Sequence, residues 1–288
     1  MSLADNASKY WKHDLDPFLI QFPDGWPLEG IRWYGLAYLA GFAVAAYLLH
    51  LYHKRGRSSL NPDQQTTLLT AIIVGTIIGG RLGYTLLYNF GEFIHNPLSI
   101  FQVWKGGMAS HGGMVGILLA VIWFARKQKI RFWSVADIIV TLGPAGVLFG
   151  RIANFINAEL WGKPATVAWA VIFPIKDGAG QIIGYTIPRH PSQLYEAFLE
   201  GLLLLAYTQW RYWKTNITKN HPGQLACEFL IGYGIVRILG EVFREPDEYV
   251  TLIAGLSRGS FYSAVMVIIG IGLMIWLRKE QKGSKVEQ

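Results

Sequence analysis

The amino-acid sequence predicts an all-α polytopic membrane protein with about seven transmembrane helices and a small insert that contains β-structure. Three observations support this fold class. Of the 288 residues, 52% are hydrophobic and only 16% are charged, whereas about 25% of residues are charged in soluble domains. Several apolar runs approach the roughly 20 residues that a helix needs to cross a bilayer. The basic residues gather in alternate connections between those runs.

Seven apolar segments are expected to form the helices, with boundaries accurate to a few residues. Glycine and alanine are frequent inside them, as close packing between helices in lipid favours. The fourth segment is interrupted by Asp137 and Pro144. The segments span residues 33–52, 66–88, 106–125, 132–150, 192–210, 224–243 and 259–277.

The connections after the first, third, fifth and seventh segments are basic and hold 14 of the 26 Lys and Arg residues. Because seven crossings place these four connections on one side, the positive-inside rule assigns that side to the cytoplasm. Topology and anionic lipid then explain the net positive charge, so no nucleic-acid partner is expected. The residues are Lys54, Arg55, Arg57, Arg126, Lys127, Lys129, Arg131, Arg211, Lys214, Lys219, Arg278, Lys279, Lys282 and Lys285.

The longest outer connection, residues 162–190, is predicted to form a small β-hairpin on the outer membrane face. Its runs "VAWAVIFPI" and "QIIGYTI" are typical of strands, and "KDGAG" between them is a turn signal. No apolar stretch lies close to Met1, so no cleavable signal peptide is predicted. The single cysteine, Cys227, excludes an internal disulfide.

The predicted topology places the unusual polar residues of the helices in the outer half of the membrane. Ionisable side chains in a bilayer are costly, so they are expected to face the bundle interior and to pair with one another. Odd-numbered helices begin outside, and even-numbered helices end outside. The residues are Tyr34, His111 and Glu196 near outer beginnings, and Arg81, Arg151, Asn154, Arg237 and Glu241 in outer halves.

Two helices carry such residues at helical spacing. Arg151 and Asn154 share one helix face, and four residues of the sixth segment, separated by four, four and three positions, form one polar stripe. Two alternatives stay open: Arg237 and Glu241 form a merely structural pair, and Arg81 extends its side chain to the outer surface. The stripe consists of Tyr233, Arg237, Glu241 and Arg244.

His111 lies in "GGMASHGGMVG", where glycines on both sides allow another backbone or a substrate to approach closely. The alternative is a structural histidine. The sequence has no paired-histidine spacing, so no metal site is expected at His111, and it has no P-loop, GxSxG or dinucleotide fingerprint. Arginine forks suit phosphate, and the abundant phosphate in this place is a phospholipid headgroup. With His111 as a candidate base and Tyr34 nearby, these residues indicate a lipid-modifying enzyme. They do not identify the molecule that accepts the lipid group.

The stretch "GRIANFINAELWG", residues 150–162, resembles the signature G-R-x-[GA]-N-F-x-N-x-E-x-x-G of the prolipoprotein diacylglyceryl transferase family. Five further stretches resemble the family in its order: "RWYGLAYLAGF", "GGRLGYTLLYN", "GGMASHGG", "RHPSQLYEAFLEG" and "GYGIVRILGEVFREPD". The sequence departs from the usual family residues at Lys105, Ala109, Ser110, Ala153 and Ala158. The matching signature positions are Gly150, Arg151, Asn154, Phe155, Asn157, Glu159 and Gly162.

This resemblance implies that the enzyme moves the diacylglyceryl group of phosphatidylglycerol to the lipobox cysteine of a prolipoprotein signal peptide. A thioether forms and glycerol-1-phosphate leaves, in the first step of bacterial lipoprotein maturation. The reaction takes place in the bacterial inner membrane without a cofactor. Two rival classes are a membrane transporter and a non-catalytic lipid-binding protein with an outward-facing cavity for anionic lipid.

The implied roles follow from that reaction. A free thiol has a pKa of about 8.5, so a base helps to form the thiolate. His111 is the first candidate for this base, and Glu241 and Glu159 are the alternatives. The residues expected to be catalytic are His111, Arg151, Arg237, Glu241 and Tyr34. Those expected to bind substrate are Arg81, Arg151, Asn154, Asn157, Glu159, Gly162, Tyr233, Arg237 and Arg244.

The resulting domain organisation has five parts, with a periplasmic N-terminus and a cytoplasmic C-terminus. They are an N-terminal periplasmic segment (1–32), transmembrane helices 1–4 with the signature (33–161), a periplasmic insert (162–190), transmembrane helices 5–7 (191–277) and a cytoplasmic tail (278–288).

Overall fold

The computed structural model describes residues 9–23, 25–26, 29–58, 60–102, 106–177, 180–245 and 256–286, with side chains to residue 282. Lys105 and the tip of the predicted hairpin turn lie outside the described residues. Contacts within the chain define two compact units. The first unit comprises residues 1–41 and 140–288, and the second comprises residues 42–139.

A helix is found at each of the seven predicted apolar segments. Six of them are α1 (Trp33–Lys54), α2 (Pro62–Leu87), α4 (Ser110–Gln128), α5 (Phe132–Ile156), α9 (Gln224–Glu241) and α10 (Arg258–Val286). At the fifth segment, α6 (Ser192–Glu196), a π-helical stretch (Ala197–Leu203) and α7 (Leu204–Lys214) form one continuous helical run. Short elements are α3 (Phe90–His95), a 3₁₀ turn (Pro97–Phe101) and α8 (Ile217–Asn220).

Among the described residues, four helices are long and apolar enough to cross a membrane. They are α1, α2, α5 and α10, the last over Arg258–Lys282. The helices at the third, fifth and sixth predicted segments do not meet this combined requirement of length and apolar composition. The mostly helical, multi-pass membrane character is therefore confirmed, whereas the number of seven crossings stays a prediction.

In the second unit, α2 and α4 pack with their backbones in close contact. The capping box of Asn61 and Gln64 starts α2, with hydrogen bonds of 2.9 and 3.0 Å between side chain and backbone in the two directions. Further along, Gly75, Gly79 and Gly83 face glycines of α4, where added Cβ atoms would overlap the opposing backbone. The glycines after His111 therefore contact the backbone of α2, as the sequence suggested.

The predicted hairpin is confirmed in the first unit. Strand β5 (Pro174–Lys176) pairs in antiparallel fashion with β6 (Ile182–Tyr185). Three other strands, which the sequence did not predict, precede α1. Strand β1 (Trp11–Lys12) runs parallel to β4 (Val171–Ile172), and β2 (Phe18–Gln21) pairs in antiparallel fashion with β3 (Gly30–Arg32).

An aromatic core fastens the N-terminal segment to the end of α5. The Nε2 atom of His13 lies 2.8 Å from the carbonyl oxygen of Phe155. The His13 ring also packs against Phe155 and Phe173, and Trp161 stacks on Phe173. Burial of these rings stabilises the strand pairing that begins at Trp11.

Candidate active site

Two glutamates, Glu196 and Glu200, form the buried base of the site in the first unit. Their side chains are 1% and 0% exposed. They flank the start of the π-helical stretch, a rare conformation that is frequent at functional sites. A Cβ atom on Gly201 would lie 2.6 Å from the Cα of Leu148, so this glycine allows the π-helical stretch to pack closely on α5.

Three arginines lie over this carboxylate pair. Arg151 of α5 reaches both glutamates, with Nη1 2.9 Å from Glu196 and Nη2 3.1 Å from Glu200. Arg237 of α9 lies 3.5 Å from Glu196 and 3.6 Å from Glu200. Arg244, just beyond α9, lies 3.5 Å from Glu196. Two carboxylates therefore hold three guanidinium groups, of which Arg151 lies far in the sequence from Arg237 and Arg244.

Glu241 completes the arginine–glutamate cluster, which we define as Arg151, Arg237, Arg244, Glu196, Glu200 and Glu241. Its carboxylate lies 2.7 Å from Arg237 and accepts a hydrogen bond of 2.9 Å from Ser257. The hydroxyl of Tyr233 donates to Glu200 over 3.3 Å. The polar stripe predicted on the sixth segment is thus directed at the buried pair. Three arginines and three glutamates make the cluster formally neutral.

The arginines are the accessible layer of the cluster. Arg151, Arg237 and Arg244 are 18%, 13% and 15% exposed, whereas the two glutamates beneath them are sealed. Several of the carboxylate oxygens near an arginine, including Oε2 of Glu196 and of Glu241, have no aligned hydrogen bond among the described residues. At these oxygens the attraction to the guanidinium groups is therefore mainly Coulombic.

A second group joins Tyr34, Asn154 and Glu159 around the end of α5. The amide of Asn154 donates to the Glu159 carboxylate over 2.7 Å and to the Tyr34 hydroxyl over 3.3 Å. The backbone oxygen of Glu159 accepts a hydrogen bond of 2.6 Å from Gln193, near the start of α6. The side-chain oxygen of Asn157 is buried without a hydrogen-bond partner among the described residues.

Gly162 is the point where three segments of the site meet. Its N–H donates to the carbonyl of His190 over 2.9 Å, and its backbone bridges to Arg244. A Cβ atom here would lie 2.5 Å from the carbonyl oxygen of Phe243 and 2.8 Å from that of His190. Only glycine fits this approach, so the signature ends on a residue that brings Arg244 and the Glu196 helix together.

The turn between α5 and Gly162 adopts left-handed backbone conformations. Ala158 and Leu160 both have φ angles of 58°, which are uncommon for residues other than glycine. Ala158 is one of the positions where the sequence departs from the family's frequent glycine. The turn is fastened by Ser192, whose hydroxyl donates to the carbonyl of Leu160 over 3.1 Å.

His111 and Arg81 belong to the second unit. His111 is exposed at the second position of α4 and lines an apolar groove of about 920 Å³ between α2 and α4. The guanidinium of Arg81 is buried and donates to the carbonyl oxygens of Ile100, Gly106 and Gly107 at 2.8, 2.6 and 3.1 Å, and to that of Ser99. Arg81 thus holds residues 99–100 and 106–107 against α2, and a role in substrate binding stays a prediction.

Glu200 is the site residue that sequence reasoning missed. It lies four residues after Glu196 in "LYEAFLEG", inside an otherwise apolar segment. Two carboxylates at this spacing within a predicted membrane helix require partners, and the arginines of neighbouring helices are the available ones. That rule would have identified Glu200 as a partner of the cluster.

The cluster can bind an oxyanion and respond to a growth of its charge. Three accessible cations from separate elements converge on one place, and buried carboxylates fix them before any ligand arrives. Planar guanidinium forks suit phosphate oxygens. A preorganised donor set of this kind stabilises negative charge that develops during a reaction.

Comparisons with known proteins agree with this chemistry. The family model described as prolipoprotein diacylglyceryl transferase matches residues 25–276. The chain is 45% identical over 269 residues to the phosphatidylglycerol–prolipoprotein diacylglyceryl transferase of Photobacterium profundum, covering 93% of this chain and 95% of the relative. It is 42% identical over 276 residues to the protein of that name from Idiomarina loihiensis, covering 95% and 98% of the two chains.

Proposed function

The chain belongs to the prolipoprotein diacylglyceryl transferase family, and from this membership we propose how the arginine–glutamate cluster carries out the family's reaction. The protein is a membrane transferase that moves a diacylglyceryl group from phosphatidylglycerol to a prolipoprotein in lipoprotein maturation. Family membership decides against the transporter and the non-catalytic lipid-binding alternatives. The finer proposal is that it acts on the lipobox cysteine of a signal peptide embedded in the bilayer.

The proposed location is the bacterial inner membrane, with seven crossings, a periplasmic N-terminus and a cytoplasmic C-terminus. The alternating basic connections support this orientation. In that arrangement, the hairpin of β5 and β6 belongs to a periplasmic insert. The arginine–glutamate cluster then lies toward the periplasmic side, where the lipobox cysteine becomes accessible.

Arg151, Arg237 and Arg244 bind the phosphate of phosphatidylglycerol. The observation that carries this assignment is the accessible layer of three arginines over two sealed glutamates. In the reaction, the thiolate sulfur attacks the glycerol carbon that carries the phosphate oxygen. The carbon–oxygen bond breaks, its electron pair stays on the oxygen, and glycerol-1-phosphate leaves.

The charge change explains why arginines accelerate this step. A phosphodiester with one negative charge becomes a phosphomonoester that approaches two. Hydrogen bonds from the guanidinium groups therefore strengthen toward the transition state, and such differential binding lowers the barrier. Glu196 and Glu200 act as positioning residues, because they hold the guanidinium groups apart and oriented against their mutual repulsion.

The second group of side chains orients the rest of the lipid. Tyr34 and Asn154 hold ester or headgroup oxygens, and Asn157 offers a buried amide with unused hydrogen-bonding capacity. Glu159 fixes Asn154 through a hydrogen bond of 2.7 Å. Gly162 allows the close backbone contact that positions Arg244.

His111 is the proposed base that receives the thiol proton. Glu241 and Glu159 are the alternatives, but the structure engages both: Glu241 with Arg237 and Ser257, and Glu159 with Asn154. The imidazole of His111 is exposed, which favours its access to a thiol.

Arginine-to-lysine variants test the phosphate assignment. Arg151→Lys and Arg237→Lys keep the positive charge but lose the fork, so each should slow transfer by about 10²-fold, the lower range for one oxyanion donor. The assay measures transfer from labelled phosphatidylglycerol to a lipobox peptide at matched enzyme levels. Arg32→Lys is the matched control, since Arg32 also pairs with a glutamate but is 52% exposed. Normal rates in both cluster variants would contradict the assignment.

A further inference from the structure

A second polar cavity lies at the opposite ends of the helices that build the arginine–glutamate cluster. It has a volume of about 770 Å³ and lies among α7, α8, the start of α9 and the end of α10. Gln224 and Arg237 are thirteen residues apart on α9, which corresponds to about 20 Å along the helix axis. The cavity is therefore separate from the proposed phosphate site.

One wall of the cavity is a basic face of α10. Ile275, Arg278, Lys279 and Lys282 line it, at spacings of three, one and three residues. These positions share one helix face. The three basic side chains are solvent-accessible, and no carboxylate pairs with them among the described side chains. This face thus brings three positive charges to one concave surface.

The opposite wall is polar and is joined to α10 by hydrogen bonds. Asn216, Asn220 and His221 line it. The Nδ1 atom of His221 lies 3.0 Å from the side-chain oxygen of Gln281, and the amide of Gln281 donates to the carbonyl of Pro222 over 3.3 Å. These contacts hold the two walls in one arrangement and place the Asn220 amide at the cavity.

Glu228, an acid whose partners Arg211 and Gln224 line the cavity, is already neutralised. Glu228 receives two hydrogen bonds from Arg211, of 2.8 and 2.7 Å, and others from Gln224 and Tyr207. Arg211 lines the cavity but shares its charge with Glu228. The net charge of the cavity is therefore set by the basic face of α10.

Ile275 lines the cavity at the level where α10 changes from apolar to basic, and exposed tryptophans lie beside basic residues at the ends of α10 and α7. Trp276 and Ile275 precede Arg278 and are 52% and 53% exposed, and Trp210 precedes Arg211 and is 56% exposed. Tryptophan is enriched where a helix leaves the hydrocarbon layer. A ligand in this cavity thus meets cationic and amide groups at one end and apolar side chains at the other.

We propose that this cavity, which we name the basic groove, binds the phosphate of an anionic phospholipid headgroup from the leaflet opposite the arginine–glutamate cluster. The three basic residues of α10 attract the phosphate, and Asn220 and His221 offer hydrogen bonds to the headgroup. The acyl chains lie along the apolar surface next to Trp276. The same polar groups would also accept free phosphate, so the experiment distinguishes the two sources.

The test uses the full-length protein purified in detergent and native mass spectrometry with added dioleoylphosphatidylserine, dioleoylphosphatidylcholine or inorganic phosphate. Wild type should retain more of the anionic lipid than of the zwitterionic lipid. The triple variant Arg278→Gln, Lys279→Gln, Lys282→Gln should bind the anionic lipid at least tenfold more weakly, since each basic residue near a membrane contributes about fivefold. The matched control replaces Arg126, Lys127 and Lys129 by Gln, which removes the same charge from the second unit.

A steric variant tests whether the lipid binds in the groove itself or is attracted only by the positive charge nearby. Asn220→Trp keeps all three cations but fills the groove, so it should also lose the anionic lipid. Equal losses in the α10 triple variant and the control triple variant would overturn the proposal, as would full binding by Asn220→Trp. If the protein binds inorganic phosphate equally well with and without phosphatidylserine, and retains no lipid, the phosphate is not that of a lipid headgroup and the proposal is overturned.

Discussion

Removal of Arg151 should damage stability and catalysis separately, and a second substitution can distinguish the two effects. In Arg151→Met, Glu200 loses its partner at 3.1 Å and keeps Arg237 at 3.6 Å. Glu196 loses its partner at 2.9 Å and keeps Arg237 and Arg244 at 3.5 Å. The variant therefore leaves a buried, sealed carboxylate pair with less compensation than before.

The size of the stability loss follows from this geometry. Breaking a buried ion pair from one side costs about 3–5 kcal/mol. Two arginines stay in contact with the pair, and Arg151 is partly exposed, so we expect about 3 kcal/mol, the lower end of that range. Loss of an interior arginine eases insertion of the helix, but the folded bundle loses stability. The apparent Tm in detergent and the amount of protein per cell should both fall.

The double variant Arg151→Met, Glu200→Gln removes one charge of each sign. It should recover most of the lost Tm, because the remaining carboxylates again match the remaining arginines. Its transfer rate should stay at least 10²-fold below wild type, since a phosphate donor is still missing. The assay is transfer from labelled phosphatidylglycerol to a lipobox peptide with equal amounts of folded enzyme. A double variant with a wild-type rate would refute the phosphate role of Arg151, and a single variant with a wild-type Tm would refute the ion-pair reasoning.

Three other predictions concern the base, the topology and the N-terminal segment. His111→Gln should slow transfer by about 10²–10⁴-fold while phosphatidylglycerol binding is kept; near-normal turnover would move the base role to Glu241 or Glu159, and lost lipid binding would make His111 a positioning residue. Reporter fusions after Lys214 and within residues 170–185 should lie on opposite sides of the membrane, and a shared side would contradict the seven-crossing order. Burial lowers the pKa of His13 below its ordinary value, so the unfolded chain binds the proton more readily and stability should fall as the pH drops below about 6.5. Burial also lowers the pKa of His190, so His190 contributes to the same loss of stability. His13→Phe should therefore reduce, but not abolish, the fall in Tm between about pH 7.5 and 5.5. An unchanged fall would exclude His13 as a contributor.

The helices and the membrane class follow from local properties of the sequence. An apolar run long enough to cross a bilayer is already committed to a helix, because backbone groups in lipid must hydrogen-bond within their own segment. Pro144 and Asp137 therefore did not prevent α5 from extending over Phe132–Ile156. The hairpin of β5 and β6 was predictable for a similar reason, since its strands and turn are adjacent in the chain.

The strands before α1 could not be predicted in the same way. Strand β1 pairs with Val171 and Ile172, which lie far along the chain. Nothing within its two residues specifies that partner. The pairing depends on the His13–Phe155 contact and on the aromatic core around Phe173, which form only when distant segments have already met.

The sequence alone determined which polar residues are exceptional, because a charge in an apolar segment is visible without a structure. It identified Arg151, Arg237 and Glu241 as residues that need partners. Only the tertiary structure decided what those partners are: Glu196 and the unnoticed Glu200 lie under the arginines, whereas Arg81 donates to backbone carbonyls. The physical reason is that hydropathy and helical spacing act within one segment, while an ion pair depends on which helix faces come into contact, and that is set by packing between segments.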